Sequence, residues 1–220
     1  MEIVHVIESL RKKRLLFHSE ADFQFALAWE IRLFYPTAEI RIEYPSPEND
    51  SNKHIDILVR NNGFAYPIEL KYKTKKLSAV VNGEEYHLKN HGAQDNGVYD
   101  FVKDLCRIEF FAPHLDGFKC GYALWLTNEN YYWKAPTNPN AGHAAFSIHD
   151  GANKTGDMSW SPHLSAGTIK GREKELQLRG EYEIRWKDYS NLDIKFGAFK
   201  YALIKVGVCN NGRIAYAASN

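Results

Sequence analysis

Hydrophobic residues recur along this chain at two periods, and each period predicts a different kind of element. Phe23, Leu27, Ile31 and Phe34 fall at helical spacing, so a helix is expected from about Ser19 to Phe34, ended by Pro36. Ser19 followed by Asp22 is a short-acid version of the capping box, which satisfies amides left open at a helix start. A second helix is expected over about 96–111, with Val98, Phe101, Val102, Leu105 and Ile108 as its apolar stripe and Pro113 as its stop. The charges on its other side, Asp100, Lys103, Asp104 and Arg107, read as a solvated face paired at i,i+3.

Period-two alternation marks strands at 38–44, 54–60 and 64–73. The turn-rich segment 45–52 separates the first two, and Asn61-Asn62-Gly63 joins the second and third as a tight hairpin. Residues 118–127 form a near-continuous apolar run, the pattern of a buried strand. Segments 176–189 and 199–208 return to strand patterning and are expected to extend the sheet. Residues 2–10 fit a short strand or a helix. Residues 74–93 read as polar and irregular. Residues 128–180 mix aromatics with Asn, Gly and Pro, so short strands or an ordered excursion are expected there.

Alternation places Ile55, Ile57 and Val59 on one strand face and Asp56 with Leu58 on the other. On the next strand, Ile68, Leu70 and Tyr72 oppose Glu69, Lys71 and Lys73. Asp56, Glu69 and Lys71 therefore converge on one sheet face, where a folded domain favours apolar side chains. An exposed Glu69–Lys71 ion pair on an edge strand, with Asp56 opposite, is the bland alternative.

The 220 residues suit a single domain. Its fold class is expected to be α/β, with a mixed central sheet flanked by helices. The core would span about 15–127 plus strands in 176–210, with an excursion at about 128–175 and a β-rich C-terminal extension. An apolar fraction of 44% excludes a disordered chain. With a net charge of only +1, nucleic-acid affinity must come from local clusters of charge. The three cysteines lack metal-ligand spacing and read as inert thiols. Neither a signal peptide nor a long apolar span is legible, so a cytoplasmic protein without a membrane partner is expected.

Two carboxylates on adjacent strands, with the Leu70 carbonyl as a third oxygen, suit a hard divalent cation: magnesium, with manganese as a substitute. Such a metal lowers the pKa of a bound water and offsets charge on a phosphate. Lys71, on the same face as Glu69, can orient or help deprotonate that water and stabilise the transition state.

Asp56, then Glu69-Leu70-Lys71 on the next strand, after an acid-bearing helix and before a second helix and strand, resembles the PD-(D/E)xK (restriction-endonuclease-like) nuclease superfamily. The resemblance covers about residues 19–127. It implies a core ordered α-β-β-β-α-β and a magnesium site made of a helix Glu, a strand Asp and a Glu-x-Lys. Those catalytic roles fall to Glu20, Asp56, Glu69 and Lys71. Glu30 is the reserve for the helix acid and Glu43 a distant third. No Pro precedes Asp56, where His54-Ile55 stands instead.

Several of these residues also have plain structural readings. Glu20 can simply favour the positive end of its helix. Gln94 is either a water or phosphate contact or part of a Gln94-Asp95-Asn96 helix cap. Lys73, Lys75 and Lys76 are either phosphate contacts or a solvated strand end. The basic run 11–14 has the same two readings.

The expectation is a metal-dependent endonuclease that hydrolyses DNA phosphodiesters in restriction, repair or mobile-element biology. The alternative is a non-catalytic nucleic-acid-binding or regulatory module on the same fold. A homodimer would suit cleavage of both strands, although no dimer surface is legible in the sequence.

Overall fold

The structure, a computed structural model, describes residues 1–47, 52–207, 209–210 and 213–214. Much of the turn read at 45–52, and the last residue of the strand read at 199–208, lie outside the described residues.

The chain begins with α1 (Ile3–Lys13), which settles the ambiguity at 2–10 in favour of a helix. Ile3, Val6, Ile7 and Leu10 form its buried stripe, and Arg11, Lys12 and Lys13 sit at its C-terminal end, where the helix dipole favours cations. Much of the 11–14 basic run is tied down internally: Arg11 pairs with Glu8, Lys13 with Glu30 and Arg14 with Asp22.

Helix α2 (Glu20–Phe34) starts at Ser19, whose hydroxyl accepts from the Asp22 amide at 3.1 Å. Phe23, Leu27 and Ile31 are buried as expected, but Phe34 is exposed.

Strands β1 (Glu39–Pro45), β2 (His54–Asn61) and β3 (Phe64–Lys73) form an antiparallel meander. At the β2–β3 turn Asn62 and Gly63 both take positive φ, which lets two residues reverse the chain. Residues 74–93 are not irregular throughout: they contain a hairpin, β4 (Leu77–Val81) and β5 (Glu84–Leu88). Helix α3 (Gln94–His114) starts earlier than expected and carries Pro113 in its last turn.

Strand β6 (Cys120–Thr127) is buried along its whole length and lies parallel to β3. Residues 128–180 are an ordered excursion containing a 3₁₀ turn (Ala144–Phe146), β7 (Asn153–Met158) and the short α4 (Ala166–Ile169). The strand-patterned segment 176–189 holds two strands, of which only the second extends the main sheet. Strand β8 (Leu176–Glu183) pairs with β7 in a separate hairpin, and β9 (Trp186–Asn191) joins the main sheet beside β10 (Ala198–Gly207). Strands β11 (Cys209–Asn210) and β12 (Arg213–Ile214) form a further small hairpin.

The chain is thus mixed α/β, built on a six-stranded sheet in the order β1-β2-β3-β6-β10-β9. Every neighbouring pair is antiparallel except β3–β6, whose crossover carries the β4–β5 hairpin and α3. Helices α1 and α2 cover one face, packing on Ile57, Ile68, Leu70, Leu124 and Tyr201. Helix α3 covers the other, over Leu58, Ala123, Trp125 and Ala202. The β7–β8 hairpin is fastened to α3 by the buried Glu109, which accepts from the Arg179 and Gly180 amides and the Tyr182 hydroxyl. No helix of the described residues is long and apolar enough to cross a membrane.

Candidate active site

The site begins where β2 leaves β3. Their pairing runs from Asn61–Phe64 to Ile57–Ile68 and then stops, so the next amides of β3 need other acceptors. Carboxylates supply them: Asp56 Oδ2 accepts from the Leu70 amide at 2.7 Å, and Glu20 Oε2 accepts from the Tyr72 amide at 2.7 Å. Glu20 at the start of α2 and Asp56 on β2 are therefore brought to the same stretch of β3. Glu30, the reserve acid, is instead buried against Lys13, 2.7 Å away.

The splay has a local cause. Glu43 takes a φ of +51°, which is costly for a residue with a side chain. Across Glu43 and Asp56 the two strands exchange faces together. Ile42 and Ile57 pack with α1 and α2, while Tyr44 and Ile55 pack with α3. The expectation that Ile55 shares a face with Ile57 and Val59 is corrected accordingly. The buried Gln24 of α2 ties both strands, donating to Glu43 Oε1 at 2.8 Å and to the Asp56 carbonyl at 2.7 Å.

Glu69 and Lys71 face α3, and α3 answers them. Arg107 Nη1 lies 2.9 Å from Glu69 Oε2, and Arg107 Nη2 donates to the His54 carbonyl at 2.7 Å. Lys71 Nζ lies 2.7 Å from Asp104 Oδ2 and 3.3 Å from the Leu70 carbonyl. The supposedly solvated face of α3 is turned inward at Asp104, which is buried, and at Arg107. Asp100 of the same face binds Arg172 through both carboxylate oxygens, at 2.8 and 2.7 Å. The edge-strand ion pair does not occur, because β3 is interior to the sheet and Glu69 is only 1% exposed.

Burial pushes the Asp56 carboxyl up to about 6, against the pull of Lys71 and the Leu70 amide; Asp104 and Glu20 push the same way as burial. Burial, then Asp56 and Asp104, raises Glu69 well above the usual range despite Arg107 and Lys71. Burial works to lower the Lys71 pKa, but Asp104, Asp56 and Glu69 outweigh it and raise it. Lys71 is consequently held as an ammonium, suited to placing positive charge and unsuited to taking a proton. The cluster holds four carboxylates, Glu20, Asp56, Glu69 and Asp104, against the two cations Lys71 and Arg107. Glu69 Oε1 is buried with no hydrogen-bond partner among the described residues.

Among the described residues no three Asp, Glu, His or Cys side chains form a metal-binding group. Asp56 and Glu69 remain as a pair of hard oxygen donors. A cleft of about 350 Å³ opens over Lys71, walled by Glu43, Lys53, His54, Asp100, Lys103, Asp104 and Arg107; Asp56 and Glu69 themselves do not line it.

The remaining expected contacts lie further along β3. Lys75 is ion-paired with the buried Glu129 at 2.6 Å, and Gln94 donates to the same carboxylate at 3.5 Å. Gln94 is itself the first residue of α3 and Ala93 at the N-cap makes no side-chain bond, but within the same cluster Asp95 Oδ1 accepts from the Asn96 amide at 2.9 Å. Lys76 is exposed, while Lys73 is half-buried and its charge helps to lower the His91 pKa. Sequence reasoning missed Gln24, Asp104 and Arg107 as members of the site. Their spacing on the helices resembles ordinary amphipathic patterning.

Comparison with protein-family models, with curated proteins and with solved structures gives no significant match for this chain.

Proposed function

We propose that this chain is a magnesium-dependent endonuclease acting on DNA, built on a restriction-endonuclease-like core of the PD-(D/E)xK superfamily. The observation that carries the reading is the acidic excess at the β2–β3 splay, where Asp56 and Glu69 are held with raised pKa values and Glu69 Oε1 lacks a partner. Two buried carboxylates that resist ionisation are relieved by a divalent cation. Magnesium keeps several waters, so two carboxylates with the Leu70 carbonyl are a sufficient protein set. The element order α2-β1-β2-β3-α3-β6, interrupted only by the β4–β5 hairpin, supports the same reading.

Asp56, Glu69 and the Leu70 carbonyl would hold the metal. When bound, it supplies an acidified water and offsets charge on the scissile phosphate. Lys71 contributes a fixed ammonium, kept protonated by Asp104, toward the charge that develops on phosphate oxygens. Glu20 and Gln24 keep the splayed strands in position through the Tyr72 amide and the Asp56 carbonyl. Lys53 and Lys103 on the cleft wall, with Lys73 and Lys76 beyond it, attract the DNA backbone without reading sequence.

The test is incubation of the purified chain with supercoiled, linear and single-stranded DNA in magnesium or manganese. Cleavage that is lost in Asp56→Ala and Lys71→Ala supports the proposal; no cleavage of any form by the wild type overturns it. One observation favours a non-catalytic nucleic-acid-binding module instead. Arg107 and Asp104 already neutralise Glu69 and Lys71 in part, as a purely structural network would. DNA binding without cleavage, unchanged by Asp56→Ala, would select that reading.

A further inference from the structure

We propose that two copies of this chain associate through the outer face of α2 and the open edge of β1. The outer face of a helix that packs on a sheet is normally polar. In α2 it carries Phe25, Trp29 and Leu33 at successive four-residue steps, exposed by 63, 71 and 52%, with Phe34 beside them. A groove of about 590 Å³ runs between this row and β1, lined by Phe25, Trp29, Arg32, Ile40 and Ile42. A contiguous apolar face of this kind marks an interaction surface.

The strand beside the groove points to the occupant. Among the described residues β1 ends the sheet and pairs only with β2, and the Ile40 carbonyl accepts from the exposed guanidinium of Arg41 at 3.2 Å. Glu39 and Arg41 are both exposed and share a face two positions apart, where Arg41 Nη2 lies 3.6 Å from Glu39 Oε2 within the strand, so a partner strand would exchange or extend this pair across the axis. Antiparallel pairing of β1 with a second β1 about a twofold axis at Ile40 sets each Glu39 opposite the other copy's Arg41. The neighbouring register, centred on Arg41, would set Glu39 against Glu43 and is disfavoured by like charge. The edge is therefore complementary to itself, as an isologous interface requires. The positive φ of Glu43 ends the regular stretch and confines the pairing to a short window. The apolar row of α2 then packs against its counterpart across the same axis. None of this depends on the nuclease reading.

Sedimentation velocity or light scattering of the full chain across the micromolar range tests the proposal. A concentration-dependent dimer is expected, weakened about tenfold or more by Trp29→Glu, since buried aromatic anchors dominate such interfaces. Glu39→Arg and Arg41→Glu should each weaken it, and the double variant should restore it. Ile40→Cys should form an intermolecular disulfide under mild oxidation that the wild-type cysteines do not form. Circular dichroism reports whether each variant keeps its fold, which the exposed positions Trp29, Glu39 and Arg41 allow and which the half-buried Ile40 must be shown to tolerate. A monomer throughout the range overturns the proposal. So does a dimer that neither Trp29→Glu nor the charge reversals disturb.

Discussion

Lys71 Nζ lies 2.7 Å from Asp104 Oδ2, across the space between the interior strand β3 and the helix that covers it. The pair holds α3 against the sheet and keeps Lys71 protonated. Removing one partner strands the other charge in a largely dehydrated place. Asp104→Asn is expected to destabilise the protein by about 3 kcal/mol, measured by urea unfolding. A loss below about 1 kcal/mol would mean that water solvates the ammonium well enough without Asp104.

The raised pKa of Asp56 makes stability depend on pH. The folded carboxyl, at about 6, binds a proton more readily than the unfolded one, at 3.8. Its stabilising contribution is complete below the unfolded value and is lost as pH rises through about 6. Asp56→Asn keeps an acceptor for the Leu70 amide while removing the titration. The variant should be more stable than wild type at pH 7.5 by on the order of 2 kcal/mol, and the gap should close toward pH 4. Unfolding curves at several pH values give the comparison, and an unchanged slope would contradict the burial assigned to Asp56.

Arg107 stands where it offsets the charge of Glu69, so it competes with any added cation. Arg107→Gln should lower stability without metal. Magnesium should then stabilise this variant more than wild type, by about 1 kcal/mol or more at saturating concentrations. Thermal unfolding with and without magnesium measures the difference. Equal shifts in the two proteins would show that Glu69 is not a metal ligand.

Gly121 lies where β6 passes under α3. A Cβ at that position would sit 2.2 Å from Ile108 Cγ2 and 3.2 Å from the Pro67 carbonyl oxygen. Gly121→Ala is expected to cost about 1–3 kcal/mol through overpacking. Combined with Ile108→Ala, which removes the clashing methyl, the two effects should add to less than their sum. Strict additivity in chemical denaturation would argue against this contact.

Much of the frame was legible because it rests on local pattern. The Ser19 cap, the buried row Phe23, Leu27 and Ile31, the turn at Asn62-Gly63 and the apolar run of β6 each follow from neighbouring residues. The hairpin at 77–88 carried the same signal, since Asn82-Gly83 repeats the turn signature and takes positive φ at both positions. What escaped depends on distant partners. Arg107 finds Glu69 across 38 positions, and nothing in the i,i+3 charge spacing of α3 distinguishes an inward face from a solvated one. The face exchange of Ile55 arises from the backbone of Glu43, which a two-residue period cannot register. The apolar outer face of α2 was masked because its inner face satisfies the same helical pattern.

The crossover between β3 and β6 also bears on how the protein folds. The strands β1 to β3 can form from near neighbours, whereas the parallel β3–β6 pair requires closure of the loop that contains β4, β5 and α3. Such closure carries an entropic cost before any contact rewards it and slows folding. Asp104 and Arg107 arrive only with that step. During refolding the acidic groups of β2 and β3 therefore have only Lys71 of their two counter-charges until Arg107 arrives, and a divalent cation in the refolding buffer should accelerate the step in which α3 docks.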